Sequence, residues 1–289
     1  PRSEVETWRA RHVGEPVPWQ TLLAPDSIAA GSAVLTRQPD GSLLASGPTP
    51  ERDTYTVPVP APAGRVTALQ LEVFPDDSLP HRGPGRQAQN GNLHLSEFRV
   101  EIQTPGSDAP QALDLVNPTA DFNQDGWTIV HALDGNAQTA WGIHPQEGKP
   151  HRAVFELKEP RTFAAGTTLT FVLQQTHGGG HLIGRFRLAS TGARGPVRAL
   201  PAALAELAQP DPATLTATQW TRLADHVLRE HLRRALAALP APSLVYAAAA
   251  EFEPDGSLCP PQSPRPIHVL HRGDITQPRA RSEEHTSEL

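Results

Sequence analysis

The sequence predicts a mainly β chain: a β-sandwich followed by a short α-helical segment. Three observations carry that prediction. The 31 prolines and 22 glycines among 289 residues fall largely as turn punctuation through the first two-thirds of the chain, which suits many short strands better than long helices. Between them, short runs alternate apolar and polar residues, the period of a half-buried strand. Near Pro196 the apolar period lengthens to that of a helix.

In chain order, residues 1–18 read as the end of a preceding element, polar, with Trp8, Arg9, Arg11 and His12 ahead of Pro16 and Pro18. The sandwich is expected over 19–195. Ser32–Thr36 and Ser42–Ser46 flank Pro39-Asp40-Gly41, a hairpin signal. Asp53–Val59 alternates Thr and Val around Tyr55, and Thr67–Phe74 places Leu69, Leu71 and Val73 on one face. A long polar loop, Pro75 to Asn92, precedes the strongest strand, Leu93–Ile102. Thr128–Ala132, Ala153–Leu157, Thr168–Gln174 and Leu182–Ala189 are the remaining strands.

Residues 196–240 form a helical bracket. Pro201 opens a short helix, Ala202–Ala208, which Pro210 stops. A longer helix starts at Thr216-Ala-Thr-Gln219, which has capping-box spacing. It carries Trp220, Leu223, Val227, Leu228, Leu232, Leu236 and Leu239 at helical intervals and ends at Pro240. Asp225/Arg229 and Glu230/Arg234 are i,i+4 ion pairs on its wet side. In 241–280, Leu244–Phe252 reads as a strand, Pro254–Pro266 as a linker, and His268–Ile275 as the start of a truncated domain. The final RSEEHTSEL, residues 281–289, reads as translated sequencing-adapter text and is set apart from the fold. With no Met, and Pro1-Arg2 at its start, the chain reads as an internal piece of a longer gene.

Composition excludes some functions. A net charge of -6 and a pI of about 6.1 argue against nucleic acid as a partner. No apolar run approaches a membrane span. The one cysteine, Cys259, has no disulfide partner in the chain and no C-x-x-C-H context for haem attachment. No G-x-S-x-G elbow, P-loop or G-x-G-x-x-G occurs, so no catalytic residue is assigned.

The most informative stretch is ALDGNAQTAWG, Ala132 to Gly142. It spaces Asp134, Asn136 and Thr139 around a glycine so that their oxygens can wrap a hard cation such as Ca²⁺. Asp-Gly-Asn is equally good hairpin-turn chemistry, and both readings stand at this level. Asp121, Asn123, Asp125 and Gly126 match the first half of an EF-hand loop, but its closing position holds Ala132 where glutamate is required, so a solvated turn is expected. His177-Gly-Gly-Gly-His181 sets two histidines four apart, a spacing that on a helix could bind Zn²⁺. Three glycines speak against a helix there, and the HExxH glutamate is missing. A loop at the sandwich rim is expected, with His177, His181, Arg185, His144 and Trp141 as candidate ligand-binding residues. In GPGRQAQNGN, Arg82, Arg86, Asn90 and Asn92 could meet sugar hydroxyls or an anionic group, or build a packed Ω-type loop. Trp19, Trp127, Trp141 and Trp220 are more often core residues than sugar platforms.

ALDGNAQTAWG also resembles the signature of discoidin-type, galactose-binding-like jelly rolls. The resemblance implies a jelly-roll sandwich with a structural Ca²⁺ held by Asp134, Asn136 and Thr139, and completed by a glutamate from a neighbouring strand. The best match for that glutamate is Glu97 in LSEFRV. In the family the DGN loop precedes the glutamate strand; here Glu97 comes first, so the sandwich would be circularly permuted or differently threaded.

Taken together, WRARHVGEPVPWQTL, DDSLPHRGPGRQAQNGNLHLSEFRV, ADFNQDGW, ALDGNAQTAWG, HLIGRFRLAST and PRPIHVLHRGDI resemble planctomycete-type multidomain proteins that carry a c-type cytochrome domain near the N-terminus. The resemblance covers nearly all of residues 1–280. It implies a jelly-roll insert between two large domains, an extracytoplasmic location, haem c only in a missing N-terminal region, and a link to glycans. Expected partners are therefore the flanking domains and a carbohydrate or protein ligand. The rival expectations are a purely structural spacer, and an accessory part of an enzyme whose active site lies in the missing regions.

Overall fold

The computed structural model describes residues 2–12, 17–201, 204, 207, 215–237, 268–271 and 274–281. Among the described residues, helix α1 (Arg2–His12) precedes sixteen strands and α2 (Ala217–Ala237). The strands are β1 (Gln20–Thr21), β2 (Ser27–Ala30), β3 (Ala33–Arg37), β4 (Leu43–Ser46), β5 (Asp53–Pro60), β6 (Arg65–Val73), β7 (His94–Leu95) and β8 (Glu97–Gln103) in the first half. They continue as β9 (Gln111–Ala112), β10 (Leu115–Ala120), β11 (Trp141–Gly142), β12 (His151–Thr162), β13 (Thr168–Gln175), β14 (Arg185–Thr191), β15 (His268–His271) and β16 (Asp274–Arg281).

Two antiparallel sheets make the jelly-roll sandwich. One has the order β10-β12-β6-β14-β4-β3-β2, with β1 also on β14; the other is β5-β13-β8-β9. β13 alternates strictly, burying Leu169, Phe171 and Leu173 and leaving the residues between them half-exposed. Tyr55, Val57 and Val59 of β5 and Phe98, Val100 and Ile102 of β8 extend that inner face. Leu69, Leu71 and Val73 of β6, as read from the sequence, meet them from the first sheet with Phe155 and Phe186. The Phe98 and Phe155 rings stack across the sandwich at 4.1 Å. β6 is buried on both faces because Val197 and Ala199, returning after β14, cover Ala68 and Val154 on the outer side.

Several elements depart from the sequence expectation. Leu93–Ile102 is two strands, not one. The chain breaks at Ser96, whose N–H donates to Gln174 and whose hydroxyl accepts from Thr176. β7 then pairs with β11 while β8 joins β13. Thr128–Ala132 is not a strand but lies mostly in a 3-10 turn, Ile129–Leu133, pinned by the Ile129 N–H to Asn123 Oδ1 at 2.8 Å. β9, β10 and β11 had no clear alternation to announce them. Residues 2–12, read only as a polar tail, form a helix whose Val5 and Trp8 pack with Leu204, Leu207, Leu223 and Val227 in a second small core.

The capping box is made: Gln219 Oε1 accepts from the Thr216 N–H at 2.8 Å and the Gln219 N–H reaches Thr216 Oγ1 at 3.3 Å. Arg229 pairs with Asp225 at 2.8 Å. The Glu230/Arg234 side chains, most of Ala202–Ala208, Leu244–Phe252, Pro254–Pro266 and Cys259 lie outside the described residues. The chain divides into two compact units, 1–233 and 234–289; in the second, β15 and β16 pair antiparallel. Among the described residues no helix is long and apolar enough to cross a membrane.

Candidate functional site

The DGN loop follows the 3-10 turn. Gly135 takes a left-handed φ of 74°, so the chain reverses there without Cβ strain. The Asn136 N–H donates to Asp134 Oδ1 at 2.8 Å, and the Gln138 N–H donates to Asn136 Oδ1 at 3.0 Å. The Thr139 hydroxyl lies 2.8 Å from Asp134 Oδ2. These bonds fold the loop into consecutive side-chain-capped turns with the Asp134 carboxylate at their centre.

Glu97, at the start of β8, is brought to the same loop. Its side chain is buried, and Oε1 has no hydrogen-bond partner among the described residues. Burial pushes its pKa up, as does the Asp134 carboxylate beside it. The Gly135 and Asn136 N–H groups and Arg99 act the other way. A buried carboxylate oxygen left unpaired beside a second carboxylate is costly, and a hard cation would satisfy both. The residues present therefore fit Ca²⁺: Glu97 and Asp134 as charged oxygen donors, with Asn136 and Thr139 shaping the turn between them.

Glu97 and Gly135 also border an open groove of about 670 Å³, lined by β8, β9, β10 and Lys158 in the second half of β12. Its polar lining includes Arg99, Glu101, Asp114, Lys158 and Gln174, with apolar Leu115 and Leu133. Lys158 lies 3.4 Å from Asp114, both largely exposed.

The histidines form a separate cluster. His177 and His181 are joined by His94 of β7, which sequence reading passed over. His94 Nδ1 lies 3.0 Å from His177 Nδ1. The His94 ring is sandwiched between Trp127, 4.5 Å and 5° away, and His181, 4.2 Å and 10° away, while His177 stands at 88° to it. Burial, then the His181 and His177 charges, lower the His94 pKa to about 3. Burial and His181 also lower that of His177. The HGGGH pair was a visible signal for two of these residues; nothing local marked the third.

Other candidates are placed elsewhere. Trp141, expected at a ligand rim, is fully buried, its indole N–H donating to the Phe122 carbonyl at 3.0 Å, so it offers a ligand no surface. Arg86 is likewise buried rather than presented to solvent. Its Nη2 donates to the Gly47 carbonyl at 2.6 Å, because the Pro84–Arg86 backbone is stitched to Leu182–Gly184. His144 pairs with Glu147 at 2.8 Å. Arg185 is held by Asp40 at 2.9 Å and Asp76 at 3.1 Å. Asn92 is buried and bonds Ile143 and Gln124, and Arg82 pairs with Asp77, so the 82–92 loop is the packed form. The half EF-hand is a set of loop braces: Asp121 accepts from the Arg152 N–H and Asn123 from Ile129.

No protein-family model and no curated protein matches the sequence. Among solved structures, a mutant family 29 carbohydrate-binding module shares 6% identity over 61% of this chain and 92% of its own, with a TM-score of 0.26. A second, complexed with cellulohexaose, gives 6%, 62%, 94% and 0.26. A further family 29 carbohydrate-binding module gives 6%, 55%, 90% and 0.18. Likeness at this level identifies no ligand for the present chain.

Proposed function

We propose that the sandwich is a non-catalytic binding module that takes a carbohydrate in the groove between β8–β9 and β10, beside a DGN loop organised by Ca²⁺. The groove carries this reading. It is lined by planar guanidinium, carboxylate and amide groups together with apolar Leu115 and Leu133, the combination that meets sugar hydroxyls and the C–H faces between them. Glu97 and Asp134 would hold the Ca²⁺, which would neutralise their adjacent charges and stiffen one wall of the groove. The proposal includes a setting: an extracytoplasmic protein with flanking domains, and haem c carried elsewhere in it. That setting rests on the motif order of the sequence.

A glycan array probed with the 289-residue chain in Ca²⁺ tests the reading. Binding to a neutral or sulfated glycan, lost in Arg99→Ala and Lys158→Ala, is the expected result. An array with no signal would remove the sugar. A second reading, a spacer packed against flanking domains, draws on α2, where Leu228 and Leu232 are 50% and 55% exposed. It predicts that Leu228→Glu leaves glycan binding intact but weakens association with a flanking domain supplied in trans.

A further inference from the structure

We infer that His94, His177 and His181 form a binding site for a divalent transition-metal cation of the Zn²⁺ or Cu²⁺ class. One ligating nitrogen from each of the three lies within 4.8 Å of the others. The His94 and His177 Nδ1 atoms already face each other at 3.0 Å. A tetrahedral ion with Zn–N bonds of about 2.0–2.1 Å separates its nitrogens by roughly 3.3 Å, so that pair is almost at ligating distance.

The supporting contacts orient the rings as metal-site histidines are oriented. His181 Nδ1 lies 2.9 Å from the Gly178 carbonyl, so its N–H donates there and the Nε2 lone pair is left free. Asn92 Nδ2 lies 3.5 Å from His94 Nε2, and Trp127 stacks on the His94 ring. His181 is stacked on His94, so closure requires it to tilt off the stack. The Gly178, Gly179 and Gly180 backbone, at φ of 110°, 66° and 70°, supplies the turn that permits this. His177 and His181 are half-buried, which leaves a fourth position for water or an added ligand.

The donor set chooses the ion. Three imidazole ligands suit Zn²⁺, Cu²⁺ or Ni²⁺ and hold Ca²⁺ and Mg²⁺ poorly. This site is thus chemically distinct from the carboxylates at Glu97 and Asp134, although the two are neighbours: the Thr176 hydroxyl lies 3.3 Å from the Ala137 carbonyl of the DGN loop.

The test is calorimetric titration of the chelator-stripped full chain with ZnCl₂ and with CuCl₂, in excess Ca²⁺. One equivalent should bind, and the Cu²⁺ complex should show nitrogen superhyperfine coupling in its paramagnetic resonance spectrum. His177→Ala and His181→Ala, at half-buried positions, should each weaken binding by at least about tenfold. Gly179→Ala should weaken it too, since a Cβ there would sit 3.1 Å from His181 Nδ1. Because the chain has 13 histidines, retention of the full signal in His177→Ala and His181→Ala would assign the ion to other sites and overturn the inference. So would the absence of any binding by the wild-type chain.

Discussion

The DGN loop and the histidine cluster are built from opposite chemistries at neighbouring places in one sandwich. The loop brings the exposed Asp134 carboxylate to the half-satisfied Glu97, where burial disfavours negative charge. The cluster gathers three imidazoles, and burial there disfavours positive charge. A cation relieves the first by neutralising ionised oxygens and engages the second by occupying neutral lone pairs. On the two proposals, the carboxylates would take a hard ion and the imidazoles a softer one.

The strongest way to break the comparison is to remove what both regions share. Phe155 is fully buried and stacks on Phe98, one residue from Glu97. Phe155→Ala should cost about 3–5 kcal/mol in urea denaturation, and should weaken Ca²⁺ and Zn²⁺ binding together. If only one falls, the two sites are not positioned by a common core.

Acid separates them. His94 has a folded pKa near 3 against 6.5 for an ordinary histidine, so the unfolded chain binds its proton first. The stability contributed by neutral His94 is complete above about pH 6.5 and is lost as pH falls toward 3. Glu97 has the opposite sign: its raised folded pKa favours the protonated form, so its contribution is present at low pH and lost as pH rises through that value. Melting temperature against pH should fall on the acid side in the wild type and flatten in His94→Phe, which keeps a ring between Trp127 and His181.

Ca²⁺ supplies the next effect. At a hundredfold excess over its Kd it should stabilise the chain by about 2.7 kcal/mol, and Asp134→Ala should abolish the shift. Glu97→Gln should also abolish it, yet by about 1 kcal/mol stabilise the chelator-treated protein at neutral pH, because an ionised buried oxygen is removed. A Glu97→Gln chain that is destabilised in chelator would mean that the ionised carboxylate is satisfied in the fold.

Legibility in the sequence followed contiguity. The DGN loop is one segment, so its turn chemistry could be read directly. Glu97 was found because LSEFRV resembles a known strand, and β8 does carry it to the loop. His94 was hidden inside an alternating run that looked like a single strand; only the break at Ser96 gives it to β7 and the cluster. Trp141 and Arg86 erred in the other direction. A tryptophan after a turn and an arginine in a polar loop look the same in one dimension whether they face solvent or, as here, are enclosed by Phe122 and by the Pro84–Arg86 pairing with Leu182–Gly184. The sandwich core was legible because period-2 burial is local, whereas β9 to β11 depend on partners distant in sequence.

The smallest expected effect is the most selective. The Thr139 hydroxyl contacts both Asp134 carboxylate oxygens, at 3.0 and 2.8 Å, on an exposed loop. Thr139→Val keeps the side-chain shape and removes only that hydroxyl, at a cost of about 0.5–1 kcal/mol. The freed carboxylate loses its orientation, so Ca²⁺ affinity should drop severalfold while Zn²⁺ titration is unchanged. Equal weakening of both ions would mean that the loop transmits its order to His177 through the Thr176–Ala137 contact, and the two regions would then be one coupled site.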